Sequence, residues 1–255
     1  MKFIAIANQK GGVGKTTTAV NLAAALAEMG HYTLLLDLDP QANATSGLGV
    51  AVEENASIYP VMIGAREVTQ QIRPTAQERL SIIPSEIDLA GCEIEIARLE
   101  NPLHKLREVL QPLHDNHSFD YLIMDCPPSL GILMTNSLAA ADGLLVPVQS
   151  EFYALEGISK ILDLVKRMHE QELNPRLELI GVLLTMFDAR TRLSQQVLTE
   201  LQNYLPDKVF NTIIPRSIRL GEAPSFGQSI LQYDPNGVGA HSYRQLAAEF
   251  AARVQ

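Results

Sequence analysis

The sequence predicts an α/β fold: a three-layer, mostly parallel twisted sheet with helices on both faces. Three observations carry that expectation. Short strand-like runs are apolar at consecutive positions, as in strands covered on both sides. These runs alternate with segments of helical apolar spacing. The chain has 255 residues, 46% hydrophobic and 19% charged, enough for one sizeable core. No repeat, low-complexity tract or linker interrupts it, so 1–255 is expected to be a single domain.

The elements follow in order. Residues 3–7 read as a buried strand. A glycine-rich loop comes next, and 16–29 then has helical spacing and stops at Gly30, a natural C-terminal cap. Further strands are expected at 33–37, 80–84, 121–125, 144–148, 179–184 and 209–214. Helical patterns fill the gaps, notably 155–172 and 194–205, and 242–254 reads as a closing helix. The stretch 50–78 is the least regular.

The net charge of −9 argues mildly against a chain coated in nucleic acid, yet leaves room for a local basic patch. Cys92 and Cys126 are far apart and form no CxxC, so neither a disulfide framework nor a metal site is indicated. The six histidines (His31, His104, His114, His117, His169 and His241) show no pair with metal-ligand spacing on a helix face. The glycine-rich turn arrives too soon for a secretory signal core, and no apolar run is long enough to span a bilayer. A cytoplasmic location is expected.

The loop at 10–17 reads Lys10, Gly11, Gly12, Val13, Gly14, Lys15, Thr16, Thr17. A phosphate-binding loop needs glycines so that backbone N–H groups can curl around an anion. It also needs a helix N-terminus behind it, a lysine for the outer phosphates and a hydroxyl for magnesium. Gly11, Gly12 and Gly14 supply the curl, Lys15 the charge and Thr16 the hydroxyl. The loop leaves a strand and opens a helix, which favours ATP or GTP binding with magnesium over a plain glycine turn. The usual pattern has glycine where this chain has Gln9, and a second lysine, Lys10, follows. Lys10 is either an extra phosphate contact, in its own site or across a dimer, or a solvated surface lysine.

Two further segments end strands in carboxylates: Asp37-Leu38-Asp39-Pro40-Gln41-Ala42-Asn43 and Ile123-Met124-Asp125-Cys126-Pro127-Pro128-Ser129. Carboxylates there can face a nucleotide at the carboxyl edge of a sheet. Asp39-Pro40 alone also fits a turn opener. Cys126 reads as a small buried residue.

Together these residues resemble the deviant Walker A ATPases of the ParA and MinD superfamily. The resemblance to its Soj branch runs through Ala154-Leu155-Glu156-Gly157, Asp188-Ala189-Arg190-Thr191, Ile214-Pro215-Arg216 and Leu220-Gly221-Glu222-Ala223-Pro224. It implies ATP and Mg2+ as cofactors and a homodimer that sandwiches two nucleotides. In that dimer Lys10 would reach the partner's nucleotide, and a side chain at Gly12 would block closure. Asp39 would orient the attacking water and, with Thr16 and Asp125, hold magnesium. Pro215 and Ser217 would wrap the adenine, with serine standing where relatives often carry asparagine. Arg190, Arg216 and Arg219, helped by Arg192 and Lys208, would bind nonspecific double-stranded DNA through phosphates.

The function implied is ATP-dependent partitioning of a chromosome or plasmid. A ParB-type protein would stimulate hydrolysis through a basic N-terminal peptide, and the protein would be nucleoid-associated, with no membrane partner. A MinD-like membrane ATPase is the first alternative. It would need a basic amphipathic tail helix, and 243–254 offers Ala247, Ala248, Ala251 and Ala252 in its bulk and only Arg244 and Arg253 as bases. A metabolic ligase of the same superfamily is the second alternative, but no residue pattern calls for its substrate pocket.

Overall fold

The computed structural model describes residues 1–116 and 118–254, so His117 lies outside the described residues. The first half contains β1 (Lys2–Ile6), α1 (Lys15–Glu28), β2 (Thr33–Asp37), α2 (Asn43–Gly47), α3 (Tyr59–Met62), β3 (Arg73–Pro74), β4 (Leu80–Ile83), α4 (Leu89–Ile96) and α5 (Lys105–Asn116). The second contains β5 (Tyr121–Asp125), α6 (Ile132–Ala140), β6 (Gly143–Gln149), α7 (Ala154–Glu170), β7 (Glu178–Thr185), α8 (Arg192–Tyr204), α9 (Ile218–Glu222), α10 (Ile230–Tyr233) and α11 (Val238–Arg253). Seven strands form one sheet in the order β3-β4-β2-β5-β1-β6-β7. All pairings are parallel except β3 with β4. That antiparallel edge strand lies in the irregular stretch and ends in Pro74, which an edge tolerates because its missing N–H breaks no ladder.

The consecutive apolar runs are explained by two cores, one on each face. Phe3, Ala5, Leu34, Leu36, Leu122 and Met124 point to one side, where α5, α6 and α7 cover them. Ile4, Ile6, Leu35, Ile123, Leu145 and Leu183 point to the other, under α1 and α11. The period-2 pleat thus buries nearly every position of the central strands, Lys2 and Tyr121 at their amino ends excepted. On the second face α1 buries a run of alanines and leucines, and their small side chains let helix and sheet approach closely.

The segment 209–214 is not a strand, contrary to its apolar reading. It touches β7 through an isolated bridge at Val209, and a second bridge joins Phe187 to Pro215. Between them the amides of Asn211 and Thr212 turn away and donate to the Glu249 carboxylate of α11, each at 2.8 Å. An ionised acceptor outcompetes the ladder there. The closing helix begins at Val238, four residues before its expected start.

This strand order sets β5 between β1 and β2. In register, Asp37 of β2 and Ile6 of β1 both pair with Asp125 of β5. The loop after β1 and both strand-terminal aspartates therefore share the carboxyl edge, next to β1, where the strand order reverses.

Candidate active site

The loop between β1 and α1 turns on Gly12 (φ 75°) and Gly14 (φ 85°), left-handed conformations that a side chain resists. Gly14 is also the N-cap of α1. No side chain caps this helix and its first turn holds no acid, so its amide dipoles are left for an anion. The loop is anchored at two points. The Thr185 hydroxyl at the end of β7 donates to Val13 O at 2.8 Å, and the Asn8 amide donates to Pro147 O of β6 at 2.8 Å. Asn8 also accepts from the Lys10 amide at 3.0 Å.

The two lysines are held differently. Lys15 is buried, with Nζ donating to Lys10 O at 3.1 Å across the loop. Burial lowers its pKa, and the charges of Asp125 and Asp39 oppose that shift. Lys10 is half exposed and its Nζ is paired with Glu151, just beyond β6.

The carboxylates differ as sharply. Asp125 is wholly buried, and neither of its oxygens has a hydrogen-bond partner among the described residues. Burial raises its pKa well above the usual range and the neighbouring Asp37 charge adds to that. The nearby Thr16 hydroxyl and the Lys15 charge pull the other way. An uncompensated buried carboxylate is costly, and a bound cation would offset that cost. Asp37 is equally buried but fully engaged, by the Asp39 amide (3.1 Å), the Thr45 amide (2.9 Å) and the Thr45 hydroxyl (2.7 Å). Its pKa is pushed up to about 6 by burial, against the pull of the Thr45 bonds. Asp39 is half-buried, and one of its carboxylate oxygens takes the Gln41 amide at 2.9 Å.

These residues fit a magnesium-bound polyphosphate. Among the described residues no three His, Cys, Asp or Glu side chains converge as an all-protein metal cage. One or two carboxylates and a hydroxyl beside a phosphate cradle are the usual protein share of a magnesium site. Thr16, Asp39 and Asp125 could supply that share. Beside the loop lies a cavity of about 180 Å³ lined by Gly14, Thr17, Met186, Pro215, Ser217 and Tyr243, among others. Its lining mixes apolar side chains (Met186, Ile214, Pro215, Leu220) with the hydroxyls of Thr17 and Ser217, which suits a nucleobase and sugar. Met186 holds φ 50°, a strained conformation for a non-glycine residue at the cavity wall.

Arg190 and Arg216 flank Asp188. Arg190 grips it with Nε (2.9 Å) and Nη2 (2.7 Å), and the Arg216 charge acts on it too. The Arg190 bonds come first among the causes that hold the Asp188 pKa down at about 2. Arg219 on α9 contacts Glu222 and the Tyr233 hydroxyl, and Arg192 opens α8. Lys208 does not join them. It lines a different cavity with Lys2, Asp142 and Glu178, at the amino ends of β1, β6 and β7. The segment joining α8 to α9 runs from the level of Val182, within β7, to Phe187 past its carboxyl end, so the Lys208 side chain in the amino-end cavity is separated from the arginines at the segment's end.

Sequence reasoning gave no site role to Asp37, Thr45, Thr185, Met186 or Tyr243. Asp37 was visible as a strand-terminal carboxylate two positions from Asp39. The others come from distant elements, and no local spacing marks them.

A family described as an AAA domain matches residues 1–179. The sporulation initiation inhibitor protein Soj of Bacillus subtilis is 50% identical over 252 residues, covering 98% of each chain. The chromosome-partitioning ATPase Soj of Thermus thermophilus is 49% identical over 255 residues, covering 100% of this chain and 97% of that one. Among solved structures, cobyrinic acid a,c-diamide synthase of Mycobacterium smegmatis, with a bound ATP analog and magnesium, superposes with a TM-score of 0.85 at 35% identity, over 97% of this chain and 93% of that one. With a phosphate loop, two strand-end aspartates and half of its residues shared with Soj along nearly its whole length, the chain belongs to the ParA/Soj family of AAA-domain proteins.

Proposed function

We propose that this protein is a chromosome-partitioning ATPase that uses ATP and magnesium, an assignment supported by Soj and ParA relatives 43–50% identical over the full chain. Within the molecule, the observation that carries the ATPase reading is the unpartnered, buried Asp125 carboxylate beside Lys15 at an uncapped helix start. Magnesium, held by Thr16, Asp39 and Asp125, supplies charge neutralisation at the phosphates when bound. The chain's own residues do the rest. Backbone amides of 11–17 and Lys15 bind the phosphates. Asp39 orients the attacking water. Pro215 and Ser217 hold the base.

A second copy of the chain completes the site in this reading. Lys10 reaches the partner's nucleotide, for which it has to leave Glu151, and Gly12 lets the two loops press together. The ATP-bound dimer binds nonspecific DNA through Arg190, Arg216 and Arg219, and a ParB-type protein with a basic N-terminal peptide stimulates hydrolysis and release. The protein is then cytoplasmic and nucleoid-associated. A MinD-like membrane role is disfavoured by the tail. Helix α11 buries Tyr243, Leu246, Ala247 and Phe250 in the core shared with α1, so its apolar face is already spent. No described helix is long and apolar enough to cross a membrane.

The test is a salt-titrated DNA shift with ATP, ADP or no nucleotide. Binding with ATP alone, weakening steeply with salt, is expected. Nucleotide-independent binding would remove the switch, and liposome flotation with ATP checks the membrane alternative.

A further inference from the structure

Asp37 belongs neither to the phosphate loop nor to the residues placed around magnesium, yet it is a buried carboxylate that accepts three hydrogen bonds. One oxygen takes the Asp39 amide at 3.1 Å. The other takes both the amide and the hydroxyl of Thr45, at 2.9 and 2.7 Å. The Thr45 oxygen in turn accepts the Ser85 amide at 3.0 Å. Thr45 is itself buried, on α2, whose N-cap Ala42 is held in the left-handed conformation at φ 51°. The Asp39 carbonyl accepts the Ala42 amide at 2.9 Å, which ties the start of α2 back to Asp39.

From this chain of contacts we infer that Asp37 and Thr45 are positioning residues for ATP hydrolysis: they hold Asp39 where it can orient water. The inference rests on the reading of Asp39 as the water-orienting group.

The physical case has three parts. Asp39 stands past the end of β2, where no ladder bond holds it, and a reacting group has to be kept within about 0.5 Å of its productive place. Asp37 is the last residue of β2 and is fixed by its register with Asp125. It is therefore the nearest rigid point from which Asp39 can be held. A buried carboxylate also makes stronger bonds to N–H and O–H donors than a neutral acceptor would. Finally, the Thr45 hydroxyl works in both directions at once, donating to Asp37 and accepting from Ser85. Only threonine or serine can do both at this place, because valine, of the same shape, does neither. The network thus links the loop bearing Asp39 to the turn after β4.

Steady-state ATPase kinetics on the full chain test this, with Thr45→Val, Thr45→Ser and Asp39→Ala beside the natural protein. ATP affinity and thermal unfolding are measured on each. Thr45→Val is expected to lower kcat by roughly ten- to a hundredfold, the size associated with a misplacement of about 1 Å. Its KM and its ATP affinity should stay within about twofold, because the phosphate loop is untouched. Thr45→Ser keeps the hydroxyl and should restore most of kcat. A normal kcat in Thr45→Val overturns the proposal. So does a loss shared equally by kcat and ATP affinity, or by the serine and valine variants, since each marks a structural role only. If Thr45→Val does not fold, Asp37→Asn carries the same expectation, and full kcat in that variant overturns the proposal. Asp39→Ala separates the two levels. If it hydrolyses ATP normally, the role of Asp39 fails. If it is inactive while Thr45→Val is normal, only the positioning network fails.

Discussion

Replacing Asp125 with asparagine should stabilise the nucleotide-free protein and reduce its further stabilisation by Mg-ATP. The carboxylate is fully buried at the end of β5, has no hydrogen-bond partner for either oxygen among the described residues, and pairs in register with a second buried carboxylate, Asp37. Asparagine keeps the shape and removes the charge. Relief of an unpartnered buried charge is worth on the order of 1–3 kcal/mol after the amide's own desolvation is subtracted. For 255 residues the unfolding entropy is about 0.5 kcal/mol per kelvin, so the free protein should melt about 2–6 °C higher. ATP with magnesium at a hundred times its Kd adds about 2.7 kcal/mol to the natural protein, or roughly 5 °C. The variant loses the part of that gain that comes from magnesium, so its Mg-ATP shift should be smaller and its lead over the natural protein should shrink on adding Mg-ATP. Thermal unfolding of both proteins, in a chelator and in Mg-ATP, reads this directly. A free-state melting point that falls, together with an undiminished Mg-ATP shift, would refute the reasoning and place the cation elsewhere.

Four other outcomes follow from the same geometry. Lys15→Ala should weaken ATP binding by at least about a hundredfold, since charge-assisted bonds to phosphate are worth about 1.5–3 kcal/mol each; unchanged affinity by calorimetry would sink the loop assignment. A Cβ at Gly12 meets nothing within 4 Å in the single chain, but the residue sits at φ 75°, so Gly12→Val carries about 1–2 kcal/mol of backbone strain. ATP should still bind, and the ATP-dependent dimer should be lost on size-exclusion chromatography with light scattering; a retained dimer rejects the loop-to-loop contact. Gly227→Ala combines φ 65° with a new Cβ 2.7 Å from the Gly49 backbone and should cost about 1–3 kcal/mol, visible as a lower melting point; an unchanged melt would mean that the two loops are not in contact. Arg190→Glu should lose DNA while keeping ATP-dependent dimerisation, and Asp188→Asn, which frees Arg190 from its bidentate partner, should tighten DNA binding at low salt; no change in either variant puts DNA on another surface.

What the sequence by itself determined is whatever its short-range spacing encodes. The loop 10–17 was legible because its glycines, lysines and hydroxyls are contiguous and each has a chemical reason to be there. The central strands were legible because burial on both faces makes β2 and β5 apolar at consecutive positions between their ends. Spacing failed wherever distant groups compete. The segment 209–214 has strand-like composition, but Glu249, some forty residues on, captures two of its amides. Lys208 and Arg190 are close in sequence, yet the chain runs along β7 from Val182 to beyond its carboxyl end between Lys208 and Arg216, and the Lys208 side chain turns into a cavity at the amino ends of the strands. Asp37 and Asp39 look alike in the sequence. Only the register of β2 with β5 and the fold of α2 bury the first under three donors and leave the second half-open. The loop's identity is local chemistry. Its anchoring by Asn8 and Thr185, and the unpartnered Asp125 beside it, were decided by the tertiary structure. Strand order brings those groups together, and strand order depends on which crossovers pack best, a property of the whole chain.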